Sequence, residues 1–314
     1  MSVYELLQLA EYPTCVYDKH ANKKALLPFT RDEYQVLPSS STLNKLNTWG
    51  PLGSKLSSNE KQLVNVSGDQ YYTIRLDGKN FSTVCPHLRR LGVLEEGYSQ
   101  VFEDMMKDVC SFLVETLSNV TYAYTQSDEI TLLFSPMPFN DKLQMYEPHV
   151  YNGRRDKLLT LCASLATQRF NRCLIMKGGL DVMESLPNVI FDARMGVYSC
   201  LSDAFELVLW RSYDCSINAV STTLHLEPIT STPKKEVDSM NTLQKLTLLH
   251  QSGRMTSMTH HQRYGTLLYR RRKPCEVTNR LTGVTEVKNK FCVEQVEGLI
   301  VNNVKEGKLV IVES

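Results

Sequence analysis

Two short stretches of the sequence place acidic residues where strand-like segments end. Asp77 follows the alternating segment "YYTIRL", and Asp128 and Glu129 stand at the tip of "YAYTQSDEITLLF", between two such segments. In an antiparallel arrangement the end of the first strand lies beside the hairpin tip, so we expect the three carboxylates to be close. Carboxylates this close repel unless a cation lies among them, and Mg²⁺ prefers hard oxygen ligands together with bound phosphate. The pattern therefore predicts a magnesium site that receives a nucleoside triphosphate.

Each acidic motif also has a simpler interpretation. Asp-Gly after a strand is a common turn, and Ser-Asp-Glu at a hairpin tip is ordinary turn chemistry. Either motif alone favours a solvated turn. Their placement at adjacent ends of one sheet favours a metal site.

A basic pair supplies a second candidate feature. In "GRRDKLLTLCAS", Arg154 and Lys157 stand about one helical turn apart and can clamp a triphosphate; a solvated basic helix end is the alternative. The segment "GKNF", Gly78 to Phe81, can offer backbone N–H groups to phosphate. The Walker pattern is absent, which excludes a P-loop enzyme.

The spacing of apolar residues predicts the elements that carry these motifs. A strand from Tyr71 precedes a helix over 99–117, strands over 120–124 and 130–134, a helix containing 158–166 and a strand over 188–199. This order is the split β-α-β-β-α-β pattern, an α+β fold with an antiparallel sheet and both helices on one face. Downstream, we expect helices over 203–218 and 237–250, and small β-hairpins between 277 and 312 with turns at Thr282-Gly283 and Glu306-Gly307.

Composition limits the class of protein. The chain has 314 residues and a net charge of +1, which argues against a uniformly basic nucleic-acid surface. Its nine cysteines lack zinc-site spacing and are expected to be reduced. No apolar run approaches the length of a membrane helix, and no signal-peptide pattern begins the chain, so we expect no membrane partner and a cytoplasmic protein, with nuclear or organellar placement left open.

Several ordered motifs together resemble the tRNA-histidine guanylyltransferase family and its 3′-5′ polymerase-like branch. They are "IRLDGKNF", "AYTQSDEITLLF", the Arg154–Lys157 pair, "FDAR" at 191–194 and "WRSYDCSIN" at 210–218. The resemblance runs from about residue 71 to 273. It implies a polymerase-type palm, two Mg²⁺ ions, ATP or GTP as the activating nucleotide, nucleoside triphosphates as substrates, tRNA or another RNA with a 5′-monophosphate end, and a homotetramer.

The resemblance also assigns roles to individual residues. It implies that Asp77 and Asp128 bind metal together with the carbonyl oxygen of Gly78, and that Glu129 is the catalytic acid beside them. It gives nucleotide binding to Lys79, Asn80, Phe81, Ser127, Arg154 and Lys157, and RNA binding to Asn218. We predict a further RNA contact from the basic cluster Arg270, Arg271, Arg272 and Lys273.

Two departures from the family pattern bear on the substrate. Ser216 stands where the histidine-specific enzymes carry His, which weakens any expectation of tRNA-histidine specificity. The expected Lys-Pro-x-Asp stretch is absent, since "LEEGYSQ" stands there, and Arg89 or Arg90 is a candidate replacement for its charge.

These observations favour a metal-dependent nucleotidyltransferase that extends RNA 5′ ends in the 3′-5′ direction, as in template-dependent repair of tRNA 5′ ends. The alternatives are a tRNA-histidine-specific guanylyltransferase, a nucleotide cyclase, and a non-catalytic palm-fold RNA-binding protein; a binding module has no need of carboxylates facing a polyanion. The expected division is an N-terminal extension over 1–70, a palm-like catalytic domain over 71–226 and a C-terminal helix and β-hairpin region over 227–314.

Overall fold

Six strands form one antiparallel sheet that carries the acidic motifs. The computed structural model describes residues 65–226, 233–278, 283 and 285–297. The strands are β1 (Tyr71–Lys79), β2 (Val120–Gln126), β3 (Glu129–Phe134), β6 (Ile190–Tyr198), β7 (Thr266–Thr278) and β8 (Thr285–Glu297), and their order across the sheet is β6-β1-β3-β2-β7-β8. The short strands β4 (Phe139–Asn140) and β5 (Met145–Tyr146) form a separate pair. Most of the expected N-terminal extension and the turn at Glu306-Gly307 lie outside the described residues.

Two long helices cover one face of the sheet. They are α2 (Gln100–Thr116) and α3 (Arg155–Ser185). The alternating residues Ile74 and Leu132 point to this face and join the helix residues Met106 and Phe170 in the main core, all four of them fully buried. The predicted α+β class, with both helices on one face of an antiparallel sheet, is confirmed.

A third long helix, α4 (Leu201–Leu226), lies on the opposite face. Its Phe205 ring packs edge-on against Tyr122 of β2, with ring centroids 5.9 Å apart. Its Arg211 reaches Glu129 of β3. The sheet end that bears the acids is therefore covered from the side of α4 as well.

Helix α1 (Phe81–Arg90) was not predicted from the sequence. It begins directly after β1 and carries Pro86 inside, a residue that usually ends a helix. Its buried residues Phe81, Val84 and Leu88 recur at three- and four-residue steps, so packing against the core stabilises this helix despite the proline. No helix in the described part of the chain is long and apolar enough to cross a membrane.

The C-terminal part contributes to the same sheet. Helices α5 (Lys234–Ser239) and α6 (Thr242–Gln251) replace the single helix expected over 237–250, and the short helix α7 (His260–Tyr264) follows. Asn241 and Gln244 form a capping box at the start of α6. The region then continues as one long hairpin of 13-residue strands. Strand β7 pairs with β2 only over 266–269, so the rest of the hairpin extends past β2 as a two-stranded ribbon.

Candidate active site

Asp77 and Asp128 meet at one end of the sheet. Asp77 is opposite Glu129 in the register of β1 and β3. The backbone N–H of Gly78 donates to the carbonyl oxygen of Asp128 at 3.0 Å, which ties the hairpin tip to the end of β1. The structure thus brings together the two acids that the sequence predicted to be neighbours.

The electrostatic environment of Asp128 disfavours its charged form. Burial, followed by the negative charge of Asp77, raises the pKa of Asp128 above its usual range. A carboxylate destabilised in this way gains when a cation binds beside it.

The backbone on both sides of the acids is strained. Ser127, in the turn between β2 and β3, has φ of 47°, and Asn80, between β1 and α1, has φ of 64°. Non-glycine residues are uncommon in this left-handed region, because the conformation costs about 1–3 kcal/mol per residue. Such residues concentrate at functional sites. Gly78 is required for another reason, since a Cβ there would lie 2.5 Å from a ring atom of Phe81.

The acids border a cavity of about 570 Å³ between α1 and α4. One end holds the hairpin tip, and the walls come from helices on both faces of the sheet. Its predicted site residues are Asp77, Phe81, Ser127, Asp128, Glu129 and Asn218, and the other lining residues include Cys85, Arg89, Phe102, Gln126, Arg211, Cys215 and Gln262.

The segment after Gly78 contributes to the site through its backbone more than through its side chains. Phe81 is 3% exposed, and its ring packs against Phe102, Phe170 and Phe191. The first turn of a helix leaves N–H groups without intrahelical partners, so the start of α1 can donate to phosphate as the sequence suggested. Lys79 and Asn80 are exposed at this turn.

Glu129 is committed to an ion pair and does not face a metal freely. Its carboxylate accepts from Nε of Arg211 at 2.5 Å and lies 3.9 Å from Nη1 of Arg75. Glu129 and Arg211 are 5% and 8% exposed. Burial raises the pKa of Glu129 although Arg211 and Arg75 act to lower it. The role of Glu129 as a catalytic acid stays a prediction, and the structure adds a buried ion pair to it.

Arg154 and Lys157 lie at the opposite end of the sheet. The start of α3 contacts the segment before β1, where the N–H of Val66 donates to the carbonyl oxygen of Gly153 at 2.9 Å. Thr167, thirteen residues further along α3, accepts from the N–H of Phe191, which pairs with Gly78. Thirteen residues span about 20 Å of helix. One chain therefore does not bring this basic pair to Asp77 and Asp128.

Asn218 and Ser216 of α4 lie in different environments. Asn218 is exposed and lines the cavity. Ser216 is 4% exposed, and its hydroxyl lies 3.1 Å from the carbonyl oxygen of Ser212 and 2.8 Å from that of Arg263. The position at which the family pattern has His is therefore occupied by an internal contact between α4 and α7.

The predicted basic cluster is divided between the two faces of the ribbon. Arg270 turns inward, where its guanidinium donates to the carbonyl oxygens of Val114 and Leu117 at 2.9 Å each, at the C-terminal end of α2. The assignment of Arg270 to RNA stays a prediction, and the structure shows that its donors contact the helix end. Of the other three, Arg271 and Lys273 face Glu294, and Arg272 lies over the ring of Phe291.

Arg89 holds the loop that replaces the expected Lys-Pro-x-Asp stretch. Its Nε donates to the carbonyl oxygen of Glu95 at 3.2 Å and its Nη2 to that of Gly97 at 3.1 Å. The same arginine lines the cavity. Its charge therefore fixes the loop and lies at the edge of the site.

The donor set fits Mg²⁺ and excludes thiolate chemistry. Among the described residues, no group of three or more His, Cys, Asp or Glu side chains could hold a metal ion. Two carboxylates completed by phosphate and water are the arrangement in which Mg²⁺ is usually bound. Burial raises the pKa of Cys85 and of Cys215 to about 12, so both cavity thiols stay protonated at neutral pH.

Residues 54–199 match the model of the Thg1 family, described as tRNAHis guanylyltransferase. The resemblance found in the sequence is therefore confirmed over this region, which is a little under half of the chain. The chain is also 30% identical over 190 residues to the "Uncharacterized protein R259" of Acanthamoeba polyphaga mimivirus. That match covers 56% of this chain and 62% of the viral protein, so the chain spans under two thirds of this relative's length.

Solved structures share the fold. A bacterial tRNA(His) guanylyltransferase (Thg1)-like protein, determined in complex with ATP, superposes with a TM-score of 0.54 at 19% identity, covering 76% of this chain and 90% of that one. The tRNA(His) guanylyltransferase of Saccharomyces cerevisiae gives 0.50 at 18% identity, covering 68% and 91%. At these identities the likeness establishes the fold.

Proposed function

We propose that this protein is a Mg²⁺-dependent nucleotidyltransferase that adds nucleotides to RNA 5′ ends in the 3′-5′ direction, with template-dependent repair of tRNA 5′ ends as its activity. The observation that carries the proposal is the meeting of Asp77 and Asp128, one with a raised pKa, at the end of a cavity of about 570 Å³. The match of residues 54–199 to the Thg1 family model supports the reaction class. The bacterial neighbour that was solved with ATP supports a nucleotide ligand.

The residues of the chain have distinct tasks in this proposal. Asp77, Asp128 and the carbonyl oxygen of Gly78 would hold two Mg²⁺ ions, which supply charge stabilisation for the attacking hydroxyl and the leaving group. Ser127 and the first turn of α1, from Lys79 to Phe81, orient phosphates of the nucleotide. ATP or GTP would transfer its nucleotidyl group to the 5′-monophosphate with release of pyrophosphate, and the 3′-hydroxyl of the incoming nucleoside triphosphate would then displace that nucleotide as its monophosphate.

The basic pair of α3 serves a different copy of the chain in this proposal. Thr167 is the residue of α3 that lies beside the end of β1, and Arg154 precedes it by about 20 Å of helix. The pair Arg154 and Lys157 is therefore distant from the acids of the same chain. Both side chains are exposed, and Lys157 Nζ lies 5.3 Å from the centre of the Tyr151 ring. In the homotetramer that we propose, this pair reaches phosphates bound at a neighbouring copy.

The direct test is nucleotide addition to RNA. A tRNA shortened by one nucleotide at its 5′ end and carrying a 5′-monophosphate is incubated with each labelled triphosphate and Mg²⁺. We expect labelled product that requires Mg²⁺ and an activating ATP or GTP. RNA binding with no product, and no Mg²⁺-dependent binding of triphosphate, would instead establish the non-catalytic alternative.

Binding of Mg²⁺ with a non-hydrolysable ATP analogue should weaken as pH falls. The weakening should begin at a higher pH than it would for an aspartate with an ordinary pKa. The raised pKa of Asp128 keeps its proton bound to higher pH, and Mg²⁺ must displace that proton. Calorimetry in buffers of different ionisation enthalpy measures the proton release. Asp128→Asn should lose the Mg²⁺-dependent binding and the proton release together, and Asp181→Asn, which changes an exposed acid near the end of α3, should preserve both.

The same shift predicts how stability without metal depends on pH. The native state binds the proton of Asp128 more tightly than the unfolded state does, so this group's contribution to the free energy of unfolding decreases as pH rises through the window between the two pKa values. Asp128→Asn should remove this decrease. A wild-type contribution that increases with pH across the window would contradict the assignment.

Two neighbouring arginines of the ribbon should give opposite results. Arg270→Gln loses charged hydrogen bonds to the end of α2 and should lower the free energy of unfolding by about 1.5–3 kcal/mol. Arg272→Gln should leave stability nearly unchanged, weaken tRNA binding and reduce the log-log salt slope by about one unit. Denaturant unfolding and binding titrations at several salt concentrations measure both effects. An unchanged salt slope in Arg272→Gln would move the RNA contact away from this face of the ribbon.

A further inference from the structure

Glu129 and Arg211 join the hairpin tip to helix α4 inside the wall of the cavity. Their bond of 2.5 Å is buried, and the Arg211 guanidinium also lies 4.8 Å from the centre of the Trp210 ring. Arg75 approaches the same ring from β1 at 6.0 Å. A charged contact therefore fixes the tip that carries Asp128 to α4, and a cation–π contact joins β1 to the same helix.

Arg211 uses a second nitrogen to hold another residue of α4. Its Nη2 donates to Oδ2 of Asp214 at 2.9 Å. The same Oδ2 accepts from Nδ2 of Asn218 at 2.9 Å. Glu129, Arg211, Asp214 and Asn218 thus form one continuous series of contacts from the hairpin tip to the cavity, which we name the α4 relay.

The relay determines which way the Asn218 amide points. An ionised carboxylate only accepts hydrogen bonds, and Oδ2 of Asp214 already accepts from Arg211. The amide must therefore present its NH₂ group to Asp214. Within the described part of the chain Oδ1 of Asn218 accepts no hydrogen bond, and this residue lines the cavity that holds Asp77 and Asp128. Oδ1 therefore belongs to an oriented amide in the lining of the cavity.

We propose that Arg211 is a positioning residue which, through Asp214, orients Asn218 so that its Oδ1 accepts a hydrogen bond from the nucleotide bound in the cavity. This inference rests on the proposed function. The matching donor on a nucleotide is a ribose hydroxyl or an exocyclic amino group of the base, since the phosphates carry no donor when ionised. Asn218 would then select nucleotides by that donor, while Asp77 and Asp128 hold the metal.

The first test observes the relay without substrate. Selective ¹⁵N labelling of asparagine gives the side-chain NH₂ signal of Asn218, assigned by its loss in Asn218→Ala. We expect this signal to shift in Asp214→Ala and in the double variant Arg211→Gln/Glu129→Gln, which removes both charges of the buried Glu129–Arg211 pair together. The exposed Gln168→Ala on α3 is the control and should leave it in place. A signal that is indifferent to Asp214→Ala would overturn the relay.

The second test asks which donor the acceptor recognises. Calorimetry with Mg²⁺ compares binding of ATP, 2′-deoxy-ATP, 3′-deoxy-ATP and purine riboside triphosphate, which lacks the amino group. We expect wild type to disfavour one class of analogue by about five- to tenfold, the worth of one hydrogen bond. Asn218→Ala should lose that preference alone, Arg211→Gln/Glu129→Gln should reduce it, and Gln168→Ala should retain it.

The outcomes separate this inference from the proposed function. If Asn218→Ala loses the preference for ATP over the deoxy analogues, the donor to Asn218 is a ribose hydroxyl. If it loses the preference for ATP over purine riboside triphosphate, the donor is the amino group of the base. Equal ratios in wild type and Asn218→Ala would overturn the role of Asn218 even if nucleotide addition is observed. Failure of wild type to bind any triphosphate with Mg²⁺ would overturn the proposed function and the ligand of Asn218 with it, and the amide signal would still decide the relay.

Discussion

Asp77→Ala and Asp128→Ala are each expected to lower the rate of nucleotide addition by about a thousandfold or more, without unfolding the protein. Each variant removes one of the two carboxylates at the end of the cavity, and the remaining one cannot hold two cations. Both variants also remove the repulsion between the acids, the second-largest cause of the raised pKa of Asp128. Thermal unfolding without Mg²⁺ should therefore occur at the wild-type temperature or slightly above it.

The measurement combines single-turnover addition to a 5′-truncated tRNA with thermal unfolding at two Mg²⁺ concentrations. Wild type should gain stability from Mg²⁺ with a triphosphate, since a ligand that binds only the folded state stabilises it, and neither variant should. Asp181→Asn controls for the loss of one surface charge. Unfolding of both alanine variants where wild type stays folded would show that these acids are structural.

The hairpin and the meeting of its acids with β1 could be predicted because local pattern and topology determine them. Alternation with period two identifies β1, β2 and β3 without any tertiary information. Antiparallel pairing then places Asp77 opposite the tip, as the register of Asp77 with Glu129 shows. Helix α1 was not predicted, because Pro86 disfavours a helix locally. The burial of Phe81, Val84 and Leu88 stabilises the helix, and burial could not be read from the local pattern.

The partners of charged side chains could not be predicted, because they depend on how distant elements pack. Glu129 meets Arg211, 82 residues away, only because α4 lies on the face opposite α2. Arg270 meets the end of α2, more than 150 residues away. The division of the basic cluster between two faces could have been predicted from the sequence, since successive side chains of a strand through 270–273 point to opposite faces. The position of Arg154 depended on the direction in which α3 crosses the sheet.

The second large effect that we expect concerns substrate choice. The protein should extend truncated tRNAs of several identities, and it should add the nucleotide that pairs with the opposite strand. Ser216 occupies the position at which the family pattern has His, and its hydroxyl contacts the carbonyl oxygens of Ser212 and Arg263 inside the protein. An imidazole can stack on a base or bond to it, whereas this buried hydroxyl does neither. Selection then depends on phosphate contacts, which carry no sequence information, and on pairing of the incoming nucleotide.

Addition rates for truncated tRNA-histidine and two other truncated tRNAs, each offered all four triphosphates separately, test this directly. We expect rates within about tenfold among the three RNAs, and a preference of at least about tenfold for the pairing nucleotide, since each 1.4 kcal/mol of discrimination is a factor of ten. Ser216→Ala should change neither ratio, because the hydroxyl does not reach the cavity. Strong preference for full-length tRNA-histidine, with G added opposite a base that does not pair with it, would contradict the prediction. Recognition would then have to come from cavity residues that face the RNA.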